Sequence, residues 1–166
     1  MKVSLVILPN YKTQIPSLGI AYLASSLREH GHKISRFEFN LNLKQETWKI
    51  YLKKINSNNN FIKRIVSNPQ ILEQKKYLKL SQYIRSCVLK ILKKNPQVVG
   101  FSTYVTNYTL SLLVAREIKN RNDKIKIVFG GPETYTETSK LMLKTRWVDY
   151  LVVGEGEQLL SKLLEK

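Results

Sequence analysis

Apolar residues follow two alternating rhythms along this chain. Val3–Leu8 is an apolar run, Ser4 excepted, ended by Pro9, the pattern of a strand buried on both faces of a parallel sheet. After a loop, 10–17, the segment Leu18–His30 places Ile20, Leu23, Ala24 and Leu27 at helical spacing, and Gly31 is suited to ending that helix. Lys33–Phe39 has Ile34, Phe37 and Phe39 apolar and predicts a second strand. Val98–Phe101 predicts the third strand, and Thr106–Arg121 a helix striped by Leu110, Leu113, Val114 and Ile118. Ile125–Phe129 predicts the fourth strand, stopped by Gly130-Gly131-Pro132. A short helix over Thr136–Lys144, a fifth strand over Tyr150–Val153 and a last helix over Gly156–Leu164 complete the pattern. Strand–helix alternation predicts an α/β fold with a parallel sheet, and five strands favour the flavodoxin-like, Rossmann-like order 2-1-3-4-5.

One long interruption separates the second and third strands. Asn56–Asn60 (Asn-Ser-Asn-Asn-Asn) breaks it into pieces. Beyond Pro69, Tyr77, Leu80, Ile84, Cys87, Val88, Ile91 and Leu92 recur at helical spacing, which predicts the crossover helix with Cys87 as a small core residue. The chain therefore reads as one domain over 1–166, with a basic helical insertion at 43–68.

Composition narrows the class. The 166 residues are 43% hydrophobic, enough to build a core, and the single cysteine excludes a disulfide framework or a multi-cysteine metal site within this chain. That cysteine usage predicts a reducing, cytoplasmic setting. No apolar run approaches the ~20 residues of a membrane span, so no membrane role is expected. The net charge of +16 is unevenly spread: Leu43–Asn95 holds 13 basic residues and two acids. Such a segment attracts polyanions. With no Gly-Arg repeat or aromatic ladder beside it, the charge alone names no partner.

In an open parallel sheet, ligands bind outside the carboxyl ends of the strands, near the point where strand order reverses. The segments leaving those ends are Pro9–Thr13, Ser102–Asn107, Gly130–Thr134 and Gly154–Glu157. They are rich in glycine and hydroxyl residues and poor in catalytic pairs. Paired glycines let a large flat ligand approach the backbone, hydroxyls both donate and accept, and helix amino termini offer free N–H groups to a phosphate. The acids and lysine of a response-regulator receiver are missing, as is a flavodoxin phosphate loop. No Gly-x-x-x-x-Gly-Lys or Gly-x-Gly-x-x-Gly stands where it would be needed. His30 and His32 belong to the opposite edge. No catalytic nucleophile–base pair and no metal-ligand set is predicted.

Ile15-Pro16-Ser17-Leu18-Gly19-Ile20-Ala21-Tyr22-Leu23-Ala24, followed by Leu27–His32, closely resembles the opening of the cobalamin-binding domain of cobalamin-dependent radical S-adenosylmethionine enzymes. Val99–Tyr104, Val128–Pro132 and Val148–Glu157 continue the likeness in order. The resemblance spans 1–42 and 96–166 and implies a corrin ring on the carboxyl edge. It implies cofactor contacts by Asn10, Tyr11, Ser102, Thr103, Tyr104, Thr106, Asn107, Gly130, Gly131, Pro132, Glu133, Gly154, Glu155 and Gly156, with the glycine pair lining the nucleotide tail. The D-x-H-x-x-G motif that supplies a histidine to cobalt elsewhere is absent, which leaves the lower face to Tyr11, Tyr104 or solvent. Glu133 stands where relatives commonly carry histidine. The C-x-x-x-C-x-x-C of the iron–sulfur domain is also absent, so the resemblance implies a fragment whose radical domain, with its 4Fe-4S cluster and S-adenosylmethionine, follows residue 166. The expected function is that of a cofactor module for methyl transfer or a related radical conversion. The alternative is a non-catalytic interaction domain whose basic insertion binds RNA or an acidic partner.

Overall fold

The fold is described from a computed structural model, over residues 1–9, 16–39, 64, 68, 70, 71, 74–136 and 143–165. The apolar runs become short parallel strands: β1 (Lys2–Ile7), β2 (Lys33–Glu38), β3 (Val98–Ser102), β4 (Lys126–Gly130) and β5 (Tyr150–Leu151). They form one sheet in the order β2-β1-β3-β4-β5, every pairing parallel. The helices are α1 (Leu18–Glu29), α2 (Leu78–Leu92), α3 (Tyr108–Arg121) and α4 (Gly156–Leu164). The flavodoxin-like architecture expected from the pattern is the one observed.

Alternation along the strands sorts side chains between two cores. Val3, Leu5 and Ile7 of β1 pack with Ile20, Ala24 and Leu27 of α1 and Leu160 of α4. Val6 and Leu8 face the other way, against Leu80, Ile84, Cys87, Val88 and Ile91 of α2 and the buried stripe of α3. Burying a Leu or Ile side chain contributes about 1.5–3 kcal/mol, so this three-layer arrangement carries the stability. Phe101 and Phe129, register partners on β3 and β4, pack with their rings tilted at 57° and centroids 5.1 Å apart. Cys87 lies within this core, 1% exposed, and burial pushes its thiol up to about 11.

Local chemistry fixes the element ends. Ser17 caps α1, its Oγ accepting from the Ile20 N–H at 3.4 Å, while its own N–H donates to Glu38 Oε2 at 2.9 Å. The second bond ties the start of α1 to the end of β2. Two boundaries differ from the pattern. β5 is shorter than Tyr150–Val153, because after Leu151 only the Val152 N–H continues the ladder, donating to Phe129 O at 2.8 Å. The loop after β4 turns at once into a 3-10 helix, Pro132–Tyr135; residues 137–142 of the helix expected there lie outside the described residues. Most of the 43–68 insertion lies outside them as well.

Candidate functional site

Three buried side chains cross the carboxyl edge in series and hold its loops in place. Asn107 is fully buried; its Nδ2 donates to Leu8 O at 3.0 Å and Ser102 O at 3.3 Å, and its Oδ1 accepts from the Tyr104 N–H at 2.8 Å. It joins the ends of β1 and β3. Thr103 joins β3 to β4, its N–H and hydroxyl both donating to Gly130 O, at 2.7 and 2.8 Å. Thr134 joins β4 to β5, its hydroxyl shared between Gly131 O at 2.7 Å and Val152 O at 3.3 Å.

In front of these ties opens a cleft of about 230 Å³, between the α1–α4 face of the sheet and the two helices. Leu5, Val128, Val152 and Leu160 give it an apolar floor; Ser102, Tyr104 and Glu157 supply the polar groups at its wall. Gly19, Gly100, Gly130, Gly131, Gly154 and Gly156 also line it. At Gly131 the protein itself requires glycine, since φ is +98° and a Cβ would sit 2.8 Å from Thr103 O. At Gly19, Gly130 and Gly156 it does not: a Cβ at any of them would meet no atom closer than 3.7 Å. Glycine costs roughly 0.5–1 kcal/mol relative to alanine inside a helix or strand. A Cβ at Gly19 would meet nothing within 4 Å, while at Gly130 and Gly156 it would make ordinary contact with Val152 and Leu23, so the fold tolerates a side chain at all three and the cleft wall goes without one.

Sites that take a whole drug-sized ligand run to about 300–1,000 Å³. This cleft is smaller. At its rim Tyr135 and Leu159, 67% and 42% exposed, flank Gly154.

The structure brings together Ser102, Tyr104, Gly130, Gly131, Pro132, Gly154 and Gly156 around the cleft. Thr103, Thr106, Asn107 and Glu133, expected as contacts, are buried behind it. Thr103 and Asn107 spend their hydrogen-bonding groups on the scaffold, and Glu133 accepts from Thr136 Oγ1 at 3.0 Å. Glu155 is exposed and precedes α4 as its N-cap residue, without a side-chain cap bond. Asn10 and Tyr11 lie outside the described residues. Sequence reasoning missed Thr134, whose signal is a hydroxyl three residues after Gly131, and it missed the wall formed by Gly19, Ile20 and Leu23, whose signal is a glycine in the first turn of an amphipathic helix.

A parallel five-stranded sheet with a glycine-lined cleft at its carboxyl edge is a ligand-binding α/β module. The chain belongs to the B12-binding domain family, whose model matches residues 4–164, and the cofactor of that family is cobalamin. Among curated proteins, it is 36% identical over 70 residues to the 2-(S-pantetheinyl)-carbapenam-3-carboxylate methyltransferase of Streptantibioticus cattleyicolor, covering 42% of this chain and 10% of that protein. It is 35% identical over 69 residues to the cobalamin-dependent radical SAM methyltransferase TokK of Streptomyces tokunonensis, again 42% and 10%. An uncharacterized methyltransferase of Pyrococcus horikoshii is 31% identical over 81 residues, 48% of this chain and 18% of its own length. The chain thus spans a tenth to a fifth of these relatives. Among the described residues, no helix is long and apolar enough to cross a membrane.

Proposed function

We propose that this domain holds cobalamin at the carboxyl edge of its sheet, with the nucleotide arm in the cleft and the corrin on the rim. The observation that carries the reading is the run of glycines lining the cleft, of which Gly19, Gly130 and Gly156 are not required by the fold, since a Cβ there would meet no atom closer than 3.7 Å. Leu5, Val128, Val152 and Leu160 would pack against the base of the arm. Ser102 and Tyr104 would hydrogen-bond its polar parts, and Gly131 would let the backbone approach it. The ties made by Asn107, Thr103 and Thr134 fix these loops before binding, which lowers the ordering cost of association. When bound, cobalamin supplies a cobalt centre able to carry a methyl group.

The finer reading places this chain in a longer radical S-adenosylmethionine methyltransferase, in which a second domain covers the exposed rim. Its support is the name of TokK together with the small share of each relative that the chain spans. The test is to mix the purified chain with hydroxocobalamin, remove free ligand and record the visible spectrum. Corrin absorbance remains with the protein and is lost in Gly130→Leu, which sets a bulky side chain on the wall of the cleft. Absence of retained absorbance in the unaltered chain overturns the proposal.

A further inference from the structure

At the other end of the sheet, on the face covered by α2, β1 and β2 align Lys2 with Lys33 and Ser4 with Ser35. The chain leaving α2 passes over them with Lys94 and Pro96, and a cavity of about 180 Å³ lies between. Farther along the same face, the strand positions are Val6, Leu8, Phe37 and Phe39, all apolar and packed in the core. The two serines break that stripe. Ser4 is 1% exposed, and its Oγ has no hydrogen-bond partner among the described residues. A buried hydroxyl left without a partner is a rare feature that asks for one. Around the cavity, Lys2, Lys33 and Lys94 are exposed and make no ion pair among the described residues, and no carboxylate lines it. The carboxyl end of α2 contributes about half a negative charge, far less than three ammonium groups.

We propose that this cavity is a phosphate-binding site, with Ser4 Oγ donating to a phosphate oxygen and Lys2, Lys33 and Lys94 neutralising its charge. A buried hydroxyl in a cavity lined by three exposed lysines and no carboxylate suits a tetrahedral oxyanion and disfavours a cation. The site is remote from the cleft, and its test contains no cobalamin, so the two proposals stand or fall separately.

Thermal unfolding of the whole chain is compared in inorganic phosphate and in sodium chloride at matched pH and ionic strength. A millimolar site raises Tm by roughly 3–6 °C at ~10 mM phosphate. The double variant Lys33→Met/Lys94→Met, changed only at exposed positions, loses that increment. Ser4→Ala melts at or above the unaltered chain in chloride, because it removes an unpaired buried hydroxyl, and it too loses the phosphate increment. A phosphate shift no larger than that of chloride, or one that survives in both variants, overturns the proposal and leaves water as the occupant.

Discussion

Asn107→Ala tests the claim that the cleft is built on a rigid edge. The substitution removes three hydrogen bonds at once: two donated to Leu8 O and Ser102 O and one accepted from the Tyr104 N–H. Each such bond contributes about 1 kcal/mol net, and a buried polar group left without a partner costs ~1–3 kcal/mol. The side chain is 0% exposed, so water does not replace it without opening the loop. The expected loss is about 3–4 kcal/mol, a large part of the ~5–15 kcal/mol that stabilises an ordinary domain. In a chain of this size, that lowers Tm by roughly 6–15 °C. Urea unfolding followed by far-UV circular dichroism measures it. Asn107→Asp is the companion: it keeps the acceptor for Tyr104 but sets a carboxylate against two carbonyl oxygens, so it is at least as damaging as alanine. A cost below about 1 kcal/mol for Asn107→Ala would show that these loops do not depend on the tie.

Other consequences follow from neighbouring geometry. Gly131→Ala costs at least about 2 kcal/mol, since it sets a Cβ 2.8 Å from Thr103 O at φ +98°, whereas Gly130→Ala stays within about 0.5 kcal/mol; equal costs in urea unfolding contradict this contrast. Burial by itself pushes the Asp149 carboxyl up, but hydrogen bonds from Lys119 Nζ and the Ile127 N–H, with the charges of Lys119 and Lys126, outweigh it and hold the group below its ordinary range. Its stabilisation is therefore complete above the unfolded value of about 3.9 and lost as pH falls through the lower folded one. Asp149→Asn flattens that part of the acid unfolding profile, and an unaltered slope below ~pH 4 counts against the assignment. Cys87, pushed up to about 11, is about one-thousandth thiolate at pH 8, so labelling by a thiol reagent waits on unfolding; rapid labelling of the native protein contradicts its placement.

The strand order was legible because β1 and β3 are buried on both faces and write near-continuous apolar runs, while α1 and α2 carry one-sided stripes. The edge strand β5 was legible only in position: two residues of ladder leave no periodicity from which to read its length. At the site, the glycines were readable because their meaning is the absence of a side chain, which survives any local geometry. The direction of Thr103, Asn107 and Thr134 was not. A hydroxyl or amide beside a strand end serves a ligand or a neighbouring carbonyl equally well, and the choice depends on which main-chain oxygens the fold leaves nearby. Here Leu8 O, Ser102 O, Gly130 O and Val152 O stand within reach, contributed by residues up to 99 positions away.

A cleft shaped for one arm of a large corrinoid must tell corrinoids with that arm from those without it. The most direct measurement is equilibrium binding of cobalamin against cobinamide, which carries the corrin without the nucleotide arm, in the unaltered chain and in Gly130→Leu. Cobalamin binds at least ~10-fold tighter, equivalent to about 1.4 kcal/mol, and that preference collapses in the variant. Equal affinities in the unaltered chain, or a preference that persists in the variant, would contradict the proposal.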